Sequence, residues 1–227
     1  MTYIILDTET TGLEEKDRLI QVSYVVLDDD YNQFFSETGL FKPGVPINIE
    51  AMATNHITEE MVKDQETFSK SKTFTFLDKF LRENGVLVAH NAPFDKKMLE
   101  KEGIIVDKYI DTRKVSQHIL EESPKHNLQY LRYYLKLDGV DNSRAHDAEG
   151  DVEVLKKLFM FFIEEKKLSP EKMIELTNTP VFVKKMPFGK HKDIDMNEIP
   201  KDYLRWMKEN IKDMDPDLKY TVDKLLE

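Results

Sequence analysis

The chain has 227 residues, 40% hydrophobic and 33% charged, the composition of a globular protein of one full-sized domain with a small appendage rather than of a disordered chain. It has no cysteine, which excludes disulfides and thiolate metal sites and fits a reducing compartment. Its formal net charge of −10, taken alone, argues against a nucleic-acid partner, although "KKMPFGKHK" (184–192) holds four lysines and no acid, and a metal-loaded carboxylate cluster reverses its local sign.

In chain order, residues 2–7, 18–29 and 32–42 read as three strands, β-branched and aromatic, broken by "TTGLEEKD" and "DDDYN". The second break is hairpin-like and predicts antiparallel neighbours. Residues 46–62 suggest one or two short helices, with only a partial capping signal at Thr58. Phe74, Leu77 and Leu81 recur at helical spacing in 71–85, which Gly85 closes. "VLVA" (86–89) is a short buried strand, 93–103 a helix opened by a proline, and 108–112 a fifth strand. Residues 113–120 and 127–137 are helical, "LDGVDNSRAHD" is a loop, and a long amphipathic helix runs from about Ala148 to Glu165. This order predicts an α/β fold, a mixed five-stranded sheet flanked by helices. The expected organisation is a domain over 1–166, a connector over 167–179, and a small α+β module over 180–227. The apolar N-terminal run is interrupted at once by acids and the longest apolar stretch, "LFMFFI" (158–163), is too short for a bilayer, so a cytoplasmic chain without membrane segments is expected.

Three clusters of polar residues sit at element ends. Asp7 and Glu9 in "DTETTGL" stand two apart on a strand and therefore share a face. They lie at the sheet edge where α/β folds bind ligands. Two like charges so close raise one pKa unless a cation sits between them, and a hard divalent ion suits oxygen donors. A solvated pair beside a glycine turn is an equal reading of those two residues alone. Asp95, in "HNAPFD", falls in the first turn of a helix after a buried strand, where any acid is favoured by the helix dipole. His146 and Asp151, in "RAHDAEGD", stand five apart. With Asp147 as the helix cap, His146 lies in the preceding loop and Asp151 inside the first turns, so the two converge from different elements. Gly150 early in that helix costs about 1 kcal/mol of propensity and points to a close approach there.

The three clusters, in this order, resemble the DEDDh family of 3′–5′ exonucleases, relatives of polymerase proofreading subunits and ribonuclease T. Asp147 stands where the sister class has tyrosine. The resemblance implies a ribonuclease H-like fold and two divalent cations, Mg²⁺ or Mn²⁺, held by Asp7, Glu9, Asp95 and Asp151, with His146 as general base. It implies a DNA 3′ end, single-stranded or duplex, as partner, with RNA as the alternative substrate. A silent nuclease fold serving as a binding module is the alternative outside catalysis, disfavoured because all five positions are filled. Leu13, after Gly12, is a candidate for stacking on the terminal base or for a small apolar plug. Thr10, Gly12, Asn91 and His56 are further candidates for substrate contact. Phe94 is expected to pack. His90, His118, His126 and His191 have no compelling role. The tail "MPFGKHKDIDMNEIPKDYLRWM" (186–207) resembles a module behind the nuclease domain in exodeoxyribonucleases of this family, except that Asp193 replaces an expected glycine. Trp206 is expected in the core of that module, with its lysines as the DNA contacts. No protein partner is evident.

Overall fold

The protein is described by a computed structural model that covers residues 1–137 and 148–227. Strands β1 (Thr2–Thr10), β2 (Leu19–Leu27), β3 (Gln33–Leu40), β4 (Gly85–Ala89) and β5 (Tyr109–Asp111) form one sheet in the order β3-β2-β1-β4-β5. The first three are antiparallel, whereas β4 pairs parallel with both β1 and β5. The expected mixed five-stranded sheet is therefore present. β1 runs through Asp7 and Glu9 to Thr10, so both acids lie within the strand, with a register irregularity between Glu9 and Thr10.

The helices of the first part are α1 (Ile49–Asn55), α2 (Glu59–Val62), α3 (Lys72–Arg82), α4 (Ala92–Lys101), α5 (Thr112–Ile119), α6 (Leu128–Tyr134), α7 (Ala148–Glu164) and α8 (Pro170–Thr177). β1 alternates between two cores. Tyr3 and Ile5 pack with Val152, Leu155, Phe159 and Phe162 of α7, whereas Ile4 and Leu6 pack with Leu77 of α3 and Met98 and Leu99 of α4. β4 is buried along its whole length, as a parallel strand covered on both sides must be. Residues 167–179, expected to be a linker or helical connector, carry α8. It packs on β5 and α5, and the Thr177 hydroxyl accepts the Asp111 amide at 2.9 Å. The first compact unit accordingly runs from Met1 to Thr177 and the second from Asn178 to Glu227.

The second unit has an antiparallel bridge between Lys185 and Asp195, followed by α9 (Lys201–Asn210) and α10 (Pro216–Leu226). Its core is Met186, Met196, Ile199, Leu204, Met207, Leu218 and Val222. Trp206 is not in it. Leu204 and Met207 occupy the inward stripe of α9, and Trp206, 49% exposed, falls on the next stripe, so its expected core place is corrected. Asp193 adopts the left-handed conformation, φ 66°, that its expected glycine would favour. Among the described residues, no helix is long and apolar enough to cross a membrane.

Candidate active site

The site is built where β1, α4 and α7 meet at one end of the sheet. Asp7 and Glu9 have the parity of Tyr3 and Ile5, so they face the layer that α7 covers. Both are half-buried, while Thr8 between them is buried on the other side. Gln21 pairs with Glu9 across the β1–β2 ladder, and directly opposed residues share a face. Its Oε1 accepts the Ala148 amide at 3.4 Å, which ties the first residue of α7 to the strand beside Glu9. Asp151 lies in the first turn of α7 and accepts a hydrogen bond from the Gln129 side chain of α6. Gly150 is buried.

Asp95 reaches the strand from α4. The Thr8 hydroxyl donates to its Oδ1 at 2.7 Å, and the residue is only 4% exposed. Burial pushes its carboxyl up to about 7, against the Thr8 hydrogen bond, which pulls it down. Asp111 adds like charge nearby, and burial raises its own pKa against a set of backbone amides that lower it. Those amides include Asn91, which donates to Asp111 Oδ1 at 2.9 Å from a left-handed backbone, φ 77°. Asn91 is exposed at the start of α4, and Phe94 packs against the core beneath, as expected.

The donor set of Asp7, Glu9, Asp95 and Asp151 is all carboxylate, and the raised Asp95 pKa marks a charge that a cation would stabilise. The residues thus suit a hard divalent ion. Among the described residues, no three His, Asp or Glu side chains are closed into a metal cage. Asp95 and Asp151 are engaged by Thr8 and Gln129 instead. His146 lies outside the described residues.

The segment after β1 is rigidly tied. Thr10 Oγ1 donates to the Gly12 carbonyl at 2.7 Å, so Thr10 serves the turn itself. A Cβ on Gly12 would lie 2.2 Å from Asn48 Nδ2 and 2.5 Å from Asp17 Oδ2, so a larger residue there would have to displace both side chains. Asp17, 1% exposed, accepts the Thr11 hydroxyl at 2.8 Å and the Glu14 amide at 2.7 Å. Lys101, at the end of α4, donates to the carbonyls of Glu14, Glu15 and Asp17 at 3.4, 2.8 and 3.3 Å. Leu13 rides on this tied turn at 84% exposure, which removes the reading of it as an apolar plug. His56, exposed and left-handed, ends α1 next to Asn55, whose Nδ2 donates to the Thr10 carbonyl at 3.3 Å.

Gln21, Gln129, Thr8 and Lys101 went unnoticed in the sequence. Thr8 alone had a usable signal, since it sits between the two acids of β1. His90 proves structural. Its Nδ1 meets Thr112 Oγ1 at 2.9 Å and its Nε2 the His126 carbonyl at 2.8 Å.

Residues 4–159 match the profile of the family described as Exonuclease, and residues 170–211 match one described as "Putative quorum-sensing-regulated virulence factor". The chain is 27% identical over 228 residues to Exodeoxyribonuclease 10 of Escherichia coli K12, covering 98% of both chains. It is 30% identical over 170 residues to the DNA polymerase III subunit epsilon of Treponema pallidum, covering 72% of this chain and 77% of that one. Among solved structures, exonuclease X in complex with 5′ overhanging duplex DNA superposes with a TM-score of 0.60 at 25% identity, covering 78% of this chain and 99% of that one. The zinc-bound complex of E. coli ExoI with single-stranded DNA shares the fold at a TM-score of 0.62 and 18% identity, over 73% of this chain and 41% of that chain.

Proposed function

Because this chain belongs to the exonuclease family, as a 3′–5′ exonuclease of the DEDDh kind, we propose that it removes nucleotides from DNA 3′ ends and releases 5′-mononucleotides. The observation that supports this reading is that elements carrying the four acids are tied together: β1 holds Asp7 and Glu9, the Thr8 hydroxyl between them bonds Asp95 of α4, and α7, which packs on β1, carries Asp151 in its first turn. The similarity to an exodeoxyribonuclease over 98% of both chains supports DNA as the polymer.

Asp7, Glu9, Asp95 and Asp151 would hold two divalent cations, Mg²⁺ or Mn²⁺, which when bound offset the charge building on the phosphate under attack. The chain supplies the rest. Gln21 ties the start of α7 to the strand, and Gln129 of α6 holds its acid. Thr8 orients Asp95. His146 takes the proton from the attacking water as general base. Leu13, apolar and held out on a braced turn, lies against the terminal base, a contact any base accepts. Asn91 and His56 flank the strand end.

The test is nucleotide release from end-labelled DNA and from RNA of equal sequence. EDTA abolishes release, and Asp7→Ala lowers turnover about a thousandfold or more, the worth of several kcal/mol of charge stabilisation. His146→Ala lowers it about 10²–10⁴-fold. Near wild-type turnover by folded Asp7→Ala would sink the metal assignment, and faster trimming of RNA would sink the choice of DNA.

A further inference from the structure

The second unit presents a surface that the hydrolysis does not use. Beside the buried stripe of Leu204 and Met207, α9 carries Tyr203 and Trp206 three residues apart, so their rings meet on one side of the helix. The centroids are 5.5 Å apart and the planes 26° from parallel, an offset stack. His191 meets the Tyr203 ring edge-on, at 4.6 Å and 70°. Lys190 Nζ lies 5.0 Å from the same ring's centroid. A turn at Gly189, φ 74°, delivers both residues to the ring. Within this cluster His191 Nε2 is buried without a hydrogen-bond partner. Trp206, the chain's single tryptophan, stays half in water.

We infer that Tyr203 and Trp206 form a stacking platform for a base of single-stranded DNA, with phosphate contacts from Lys190 and the exposed Lys184, Lys185 and Lys192. The inference rests on the reading of the chain as a DNA exonuclease and adds to it a strand-binding site built from the second unit's own residues. Three observations choose a nucleic acid over a protein. A pair of rings is the footprint of a base, while a stable protein interface needs roughly 800 Å² per partner. A cation beside the stack suits a polymer that alternates flat rings with phosphates. Charge divides unevenly too: residues 178–227 hold ten Lys and Arg against ten Asp and Glu, so the whole excess of −10 belongs to the first unit. The second unit is the one a phosphate chain approaches without net repulsion.

The experiment uses the full chain in EDTA, titrated with a short oligothymidylate and with an abasic phosphodiester of equal length. Tryptophan fluorescence reads Trp206 alone. Oligothymidylate quenches it and the abasic chain does not. Read instead by the fluorescence anisotropy of end-labelled oligothymidylate, which needs no tryptophan, Trp206→Ala weakens binding by roughly 5- to 150-fold, the span of one missing base stack, while Trp206→Phe keeps most of the affinity. No quench, an equal response to the abasic chain, or unchanged affinity in Trp206→Ala would overturn the platform. Mononucleotide release by the wild-type chain with Mg²⁺ is read separately. Release without quenching overturns the platform alone, and quenching without release overturns the proposed function alone.

Discussion

The His90 ring has an oxygen against each nitrogen: the His126 carbonyl at Nε2 and the Thr112 hydroxyl at Nδ1. Thr112 has one proton and two takers, His90 and the Ala89 carbonyl at 3.1 Å. A neutral ring donates from Nε2 and accepts from Thr112, which draws that proton from Ala89. Burial lowers the His90 pKa from 6.5 to about 4, so the neutral form is the one the fold prefers. A depressed folded-state value means that this stability is complete above pH 6.5 and is lost as pH falls toward 4, up to about 3 kcal/mol in all. Denaturation midpoints across pH 4 to 6.5 should fall more steeply for the wild type than for His90→Asn, by about one proton's worth of slope. Parallel slopes would show that the ring titrates alike folded and unfolded. At this scale Asp7, Glu9, Asp95 and Asp151 became candidates only because three clusters occur in the order of a known family, since each cluster alone reads equally well as solvated or helix-capping acids. Gln21 and Gln129 were not, since an amide on a strand or helix reads as solvated until its partner, 127 or 22 residues away, is known. Trp206 misled because a lone tryptophan is ordinarily assigned to a core.

Helix α4 does two jobs at its two ends. Its first turn presents Asp95 to β1, and its last residue, Lys101, gathers three carbonyls of the turn that carries Leu13. The Lys101 side chain is 12% exposed and within 4.0 Å of Glu15, which also pairs with Lys97 at 2.6 Å. Lys101→Met keeps the aliphatic stem and removes the donors. Bonds to a charged group contribute about 1.5–3 kcal/mol, so the variant should lose stability of that order in denaturant melts. Amides of residues 11–18 should exchange faster, and KM for oligonucleotide should rise more than kcat falls. Unchanged exchange there would mean that Asp17 and Gly12 brace the turn unaided. The strands and most helices of the first unit were legible because their periodicities are strong. α8 was not: "PEKMIELT" is short and follows a charged run, and only Met173, Leu176 and Thr177, buried against β5 and α5, reveal it.

The whole chain divides after Thr177, and each part has its own apolar core. A fragment ending at Thr177 should therefore unfold cooperatively and keep its rate per bound end. If the aromatic surface of α9 holds a strand, the fragment's half-saturating DNA concentration rises. Its log–log salt slope then shrinks by about 0.7–0.9 for each phosphate that the fragment no longer neutralises. Equal affinity and slope in fragment and full chain would leave the second unit some other task. The sheet order has a separate consequence, for synthesis. β1 is central and is made first, yet its parallel neighbour β4 begins only at Gly85. At about 5–20 residues per second, the ribosome exposes one open edge of the catalytic strand for several seconds before a partner exists. A nascent chain in that interval offers unpaired amides and apolar side chains to whatever is near. Holdase chaperones that mask extended apolar segments should raise the yield of this protein more than that of a helical chain of equal length.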